Sequence, residues 1–210
     1  RRKAWTSILD KYHFDEAAAC RAVDFIEKFC THVKGELGGK PFLLEDWQKD
    51  DIIRPLFGWK KADGLRKFRT CYVEIPRKNG KSNLSAAIAL YMLFADGEPG
   101  AEVISAAGDR NQANIVFSLA QEMVHNNKHL SQRAKVLRNT IEYKSSFYKS
   151  ISAEASTKHG FNCHAVIFDE LHTQQNRDLY DVLTTSTGAR TQPIIIALTT
   201  AGHDRNSICF

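Results

Sequence analysis

The sequence predicts an α/β fold, a mostly parallel central sheet flanked by helices, and three observations predict it. Short apolar runs recur along the chain: Cys71, Tyr72, Val73 and Ile75 around Glu74, and uninterrupted runs at 165–168 and 193–198. Runs without polar alternation suit strands buried on both faces, as in parallel sheets. Helix-length amphipathic stretches separate these runs. The first run passes through Pro76, Arg77, Lys78 and Asn79 into Gly80-Lys81-Ser82, and a helix-like run follows at once. Strand, tight loop and helix N-terminus in that order form a phosphate-binding arrangement, because loop and helix N–H groups face one point.

Each element has its own signal. A helix is predicted over 15–34, where Ala22, Val23, Ile26, Phe29, Cys30 and Val33 share a face, and Gly35, Gly38, Gly39 and Pro41 break it. A short helix over 45–54 should end near Pro55. Ala62-Asp63-Gly64 marks a turn before the first core strand, 66–75. The helix over 83–95 should turn Leu84, Ile88, Tyr91, Met92 and Ala95 inward, with Ala86, Ala87 and Ala89 allowing close packing. A strand over 102–107 precedes a helix over 109–126 whose apolar face carries Ile115, Val116, Leu119 and Met123. Short strands follow at 135–143, with Asn139 near a turn, and at 147–151. A polar loop spans 152–160. The strand at 165–168, a helix around 178–185 and the strand at 193–198 complete the pattern.

The 210 residues suffice for one α/β domain with a sizeable core. A hydrophobic content of 43% and a charged content of 25% are ordinary for a soluble globular protein, and no apolar run is long enough to span a membrane. The net charge of +5 is compatible with a polyanionic partner without demonstrating one. None of the five cysteines forms a CxxC pair, and they read as reduced core thiols.

The chemistry concentrates in a few residues. Lys81 would reach the β and γ phosphates of a nucleotide, and Ser82 would place its hydroxyl on magnesium. Ile75 stands where the usual loop has glycine, and Arg77 and Lys78 add two cations to the loop. Asp169 and Glu170 close the strand at 165–168, at the C-terminal end where open α/β sheets bind ligands. Asp169 could hold the metal, and Glu170 could orient and deprotonate an attacking water. Trp47 could stack on a base, and the Gln48 amide could donate and accept along an adenine edge. Thr199 and Thr200 end a core strand, where hydroxyls could sense a γ phosphate. His125 and His129 have helical metal-ligand spacing, but their segment is polar all round and reads as a solvated helix end. Cys163, His164 and His172 bracket the Asp-Glu strand without zinc-like spacing, and no G-x-S-x-G elbow is present.

Taken in order, Trp47-Gln48, PRKNGKS, Gln112-Ala113, DELH and TTAG resemble the ATPase domain of the large terminase subunit of tailed bacteriophages, over roughly 42–204. The resemblance implies a P-loop NTPase fold like that of the RecA and helicase motors, with residues 1–41 as a helical lead-in and 42–210 as the ATPase domain. It implies ATP and Mg²⁺ as cofactors. Trp47 and Gln48 fall on its adenine motif. Arg77, Lys78, Asn79, Gly80, Lys81 and Ser82 fall on its deviant phosphate loop, with Arg77 on the γ phosphate. Asp169 and Glu170 fall on the metal aspartate and catalytic glutamate, Thr199 and Thr200 on the coupling motif. It further implies double-stranded DNA, the capsid portal and the small terminase subunit as partners, a homo-oligomeric ring, the host cell cytoplasm, and a neighbour's arginine in catalysis, for which Arg110 and Arg138 are candidates. The family's nuclease domain is expected to lie outside this chain, and the sheet could lack a last strand. A superfamily 2 helicase-like ATPase and a nucleotide-binding assembly subunit with little activity alone are the alternatives.

Overall fold

The computed structural model describes residues 11–152, 160–174, 176–201 and 208–209, with Arg110 described in its backbone only. The lead-in over 1–10 and most of the predicted loop over 152–160 lie outside the described residues.

A short strand β1 (Tyr12–Phe14) leads into helix α1 (Glu16–Phe29). Asp15 caps α1, its Oδ1 accepting from the Ala18 amide at 2.9 Å. The helix ends five residues before the predicted Lys34. Cys30 turns extended and Thr31 bridges to Pro41, so strand-like pairing stops the helix ahead of the glycines. A π-helical turn (Gln48–Ile53) runs directly into α2 (Arg54–Gly58) and β2 (Trp59–Lys61). Pro55 therefore sits in the first turn of a helix that continues past it, directly after the π-helical turn, instead of ending one. Gly58 is required for packing: a Cβ there would stand 2.5 Å from the Phe14 ring.

The remaining elements are β3 (Thr70–Glu74), α3 (Lys81–Phe94), β4 (Glu102–Ala107), α4 (Arg110–Asn126), α5 (Lys128–Ser131), β5 (Lys135–Val136), β6 (Thr140–Tyr143), β7 (Ser146–Ser152), β8 (Cys163–Asp169), α6 (Asp178–Thr185) and β9 (Ile194–Thr199). The first core strand is shorter than the predicted 66–75, because Arg66 is drawn into a buried ion pair before the strand starts. The strand predicted over 135–143 is a β5–β6 hairpin, closed by a bond from the Leu137 amide to the Thr140 carbonyl.

Seven strands form one sheet in the order β3-β9-β8-β4-β7-β6-β5. The five from β3 to β7 are mutually parallel, and β6 and β5 add antiparallel pairs. Strands β8 and β9 alternate as a doubly covered sheet requires. Ala165, Ile167, Ile194, Ile196 and Leu198 join the core on the α3 and α4 side, and Val166, Phe168 and Ala197 join the α6 side. Helix α3 is apolar on every side because it lies between the sheet, α4 and α1; its Leu84 through Leu93 are all buried. Helix α1 contributes Ala22, Phe25 and Ile26 to that same core.

Among the five free cysteines, Cys30 and Cys163 are core thiols, whereas Cys20, Cys71 and Cys209 are only half-buried. His125 and His129 are exposed and belong to different helices, because Asn127 ends α4 and caps α5. No helix of the described residues is long and apolar enough to cross a membrane.

Candidate active site

The order of the sheet sets the geometry of the site. β3 and β8 do not touch; β9 lies between them. The loop after β3 and the carboxylates after β8 therefore converge across the end of β9, on the C-terminal side of the parallel strands, where such sheets bind ligands.

The loop closes on itself through Asn79, whose Nδ2 donates to the Pro76 and Arg77 carbonyls at 3.1 and 3.3 Å. Lys78 and Gly80 take left-handed backbone, with φ of 68° and 72°. Gly80 then caps α3. This turns the first N–H groups of α3 toward the loop, an arrangement that favours an anion. Lys81 is buried, and its Nζ donates to the Ile75 and Pro76 carbonyls at 3.3 and 3.2 Å. The same Nζ lies 3.6 Å from Glu170 Oε1. Arg77 and Lys78 are exposed.

Ser82 Oγ donates to Asp169 Oδ2 at 3.1 Å. The other carboxylate oxygen, Oδ1, is buried with no hydrogen-bond partner. Burial pushes the Asp169 carboxyl up to about 6, with the Glu170 charge adding to the rise and Ser82 and Lys81 opposing it. A buried acceptor left unmatched is costly, and a cation is the group that would satisfy it. Ser82 and Asp169 thus fit magnesium, which is commonly bound through one or two protein oxygens together with substrate phosphates.

Glu170 departs from the strand sharply, with φ 51° and ψ 54°. Left-handed backbone at a residue with a side chain costs roughly 1–3 kcal/mol and clusters at functional sites. Three hydrogen bonds hold it: the Glu170 amide to the Leu198 carbonyl, and the Thr173 amide and hydroxyl to the Glu170 carbonyl. The turn swings the carboxylate toward Lys81 and the end of β9. There the Thr200 amide and hydroxyl both donate to Glu170 Oε2, each at 3.1 Å. Thr199 faces the loop, its carbonyl accepting from the Ile75 amide at 3.1 Å.

Gln48 is buried, with Oε1 accepting from the Glu45 amide at 3.1 Å and Nε2 3.7 Å from where a Cβ on Gly80 would stand. It therefore abuts the loop. Trp47 is half-buried and packs against the main core. Lys81, Ser82, Asp169, Glu170, Thr199, Thr200 and Gln48 are brought together. Arg138 is not; it is exposed between β5 and β6, at the opposite edge of the sheet from β3. Arg110 opens α4, and its side chain lies outside the described residues.

Ile115, Leu119 and His172 also line the site. Ile115, assigned to the apolar face of its helix, is 42% exposed. With Leu119 it walls a cavity of about 310 Å³ whose polar end is Arg77, Lys81, Ser82 and Glu170. His172 stands beside Glu170 and Thr199; the sequence marks it only as the end of the DELH motif and as a metal alternative that is set aside.

Comparisons with known proteins find relatives of this chain and of its fold. The family model for the terminase large subunit, ATPase domain, matches residues 46–210. The terminase large subunit of Enterobacteria phage HK97 is 34% identical over 194 residues, covering 86% of this chain and 36% of the relative. The chain thus spans 36% of the length of that curated relative. The crystal structure of the HK97 bacteriophage large terminase is similar with a TM-score of 0.78 at 30% identity, covering 91% of this chain and 39% of that one. The large terminase ATPase domain of Thermus phage P74-26 shares the fold, with a TM-score of 0.52 at 20% identity over 64% of this chain and 60% of that one.

Proposed function

The chain belongs to the family of terminase large subunit ATPase domains, and on that premise we propose that it binds ATP with magnesium and hydrolyses it to drive double-stranded DNA into a capsid. The observation that carries this reading is the convergence of Lys81, the Ser82–Asp169 pair and Glu170 around one point at the end of β9. Residues 42–210 make up the ATPase domain, and the lead-in of 1–41 supplies α1 as a brace for α3.

Lys81 exchanges its carbonyl partners for phosphate oxygens as nucleotide enters, since a phosphate carries more charge than a carbonyl dipole. Arg77, Lys78, Asn79 and Gly80 close over the phosphates. Arg77 places its guanidinium on the γ phosphate. Ser82 and Asp169 hold the magnesium, which supplies charge neutralisation on the phosphate oxygens. Glu170 Oε1 takes the proton of the attacking water. Ile115 and Leu119 would offer the bound nucleotide an apolar wall. Gln48, with its amide oriented by Glu45, and Trp47 serve the adenine side. Thr199 and Thr200 link the loop to Glu170 and so report the state of the γ phosphate.

The partners follow from the same membership: DNA, the capsid portal and the small terminase subunit, in a homo-oligomeric ring in the host cell cytoplasm. Arg138, exposed at the far edge of the sheet, serves as a candidate trans arginine, as does Arg110. The test is ATP turnover with magnesium across protein concentrations, for the parent and Glu170→Gln. The variant is expected to bind nucleotide normally and to lose about 10²-fold or more in turnover. Unchanged turnover in Glu170→Gln would overturn the role of that residue. No turnover by the parent at any concentration would favour a nucleotide-binding assembly subunit.

A further inference from the structure

The two oxygens of Glu170 have unequal surroundings. Oε1 faces Lys81 at 3.6 Å. Oε2 takes the Thr200 amide and hydroxyl, and His172 Nδ1 approaches it at 3.3 Å. The His172 ring is held from its other neighbours too. Nδ1 lies 2.9 Å from Thr199 Oγ1, and the His172 amide donates to that same oxygen at 3.3 Å. Thr199 Oγ1 also has the Thr200 carbonyl at 3.1 Å as an acceptor for its hydrogen, and Thr200 Oγ1, whose hydrogen has Glu170 Oε2 at 3.1 Å, lies 3.5 Å from Nδ1. With the hydroxyl hydrogens placed on those acceptors, Thr199 Oγ1 accepts from the ring, as an ionised Glu170 does. A proton on Nδ1 satisfies both contacts, whereas a bare Nδ1 would face two acceptors.

We infer that His172 is a positioning residue for ATP hydrolysis: through Nδ1–H it joins the Thr200 amide and hydroxyl in holding Glu170 Oε2, leaving Oε1 as the oxygen that meets the water. This inference rests on the reading of Glu170 as the base. It adds a direct tie between the base and Thr199, so one imidazole binds the end of β9 to the turn after β8. The left-handed backbone of Glu170 makes such a tie useful, because a carboxylate on a sharp turn has several rotamers to lose. A general base misplaced by about 1 Å can cost about 10²-fold in rate.

The tautomer is tested first, by long-range ¹H–¹⁵N spectra of histidine-labelled protein. A proton on Nδ1 of His172 is expected; a ring protonated on Nε2 alone would overturn the inference. Turnover of three variants tests the role. His172→Asn keeps an amide donor near the Nδ1 position and is expected to stay within about threefold of the parent. His172→Gln, whose amide reaches toward the Nε2 position, and His172→Ala are expected to lose about tenfold or more in kcat. KM and the affinity for a non-hydrolysable ATP analogue should stay unchanged in all three. Equal turnover in the Asn and Gln variants, or parental turnover in the Ala variant, would overturn the inference. Glu170→Gln, measured alongside, separates the two claims: if it retains turnover, the base assignment fails, and if it does not while His172→Ala is normal, only the tie fails.

Discussion

The sheet carries a buried carboxylate at each end, and the two are treated in opposite ways. At the end where the parallel strands begin, Asp96 lies between Arg66 and His164. Arg66 Nη1 bonds one oxygen, and His164 Nε2 lies 2.6 Å from the other. Burial by itself would raise its pKa. The His164 bond and the Arg66 guanidinium outweigh that and hold the carboxyl at about 2. At the end where the strands finish, Asp169 is buried as deeply but has only Ser82 on one oxygen, and its carboxyl is pushed up to about 6. Depth of burial is therefore not what separates them. What separates them is the partners: a guanidinium and an imidazole hold both oxygens of Asp96, whereas Asp169 has one neutral hydroxyl and the negative Glu170 beside it. One carboxylate is complete within the chain and ties α3, β8 and the entry to β3 together. The other is left incomplete at the point where a cation and a nucleotide would complete it, as functional sites commonly trade stability for readiness.

The comparison breaks most readily at the complete end. Arg66→Ala leaves the Asp96 charge buried with one partner fewer and strands the Gln192 carbonyl, so unfolding in urea should show a loss of about 3–5 kcal/mol. A loss below about 1 kcal/mol would mean that the network is ornamental. At the incomplete end the sign reverses. Because the folded pKa of Asp169 lies above its unfolded value, its ionised form opposes folding above pH 6, and the opposition fades as the pH falls toward 4. Asp169→Asn, measured with a metal chelator, should therefore be more stable than the parent at pH 7 by up to about 3 kcal/mol, with the gain gone near pH 4. A destabilised variant at pH 7 would contradict the account given of Oδ1. The smallest effect belongs to Ile115→Ala. Its exposed side chain should leave stability within about 0.5 kcal/mol, while nucleotide affinity, read by calorimetry, drops about three- to tenfold. Parental affinity would remove Ile115 from the cavity wall that meets the nucleotide.

The same contrast explains what could be read from the sequence. Strands β8 and β9 were legible because burial on both faces leaves no polar alternation, and the loop from Pro76 to Ser82 was legible because its chemistry is contiguous. The Asp169–Glu170 pair was legible from its place at a strand end. Arg66 was not: its carboxylate lies 30 residues away and His164 farther still, so nothing local marks it as a core residue. Ile115 was misassigned because helical spacing gives a stripe but not how much of it the sheet covers; the stripe of α4 overhangs the cavity near the loop. His172 joins the site only once Glu170 turns left-handed, a backbone choice that the sequence does not announce at a non-glycine residue. Pro55 was read as a stop although the helix that follows the π-helical turn continues past it.

Strand β9 has one more consequence. Its last residue and the one after it grip both halves of the site, Thr199 through its carbonyl on Ile75 and Thr200 through its amide on Glu170. The backbone leaving Thr200 is thus a tether with two knots on it. Displacing that backbone would shift the Ile75 loop and the Glu170 carboxylate in a single stroke, and closure of the loop on a phosphate would tug the tether the other way.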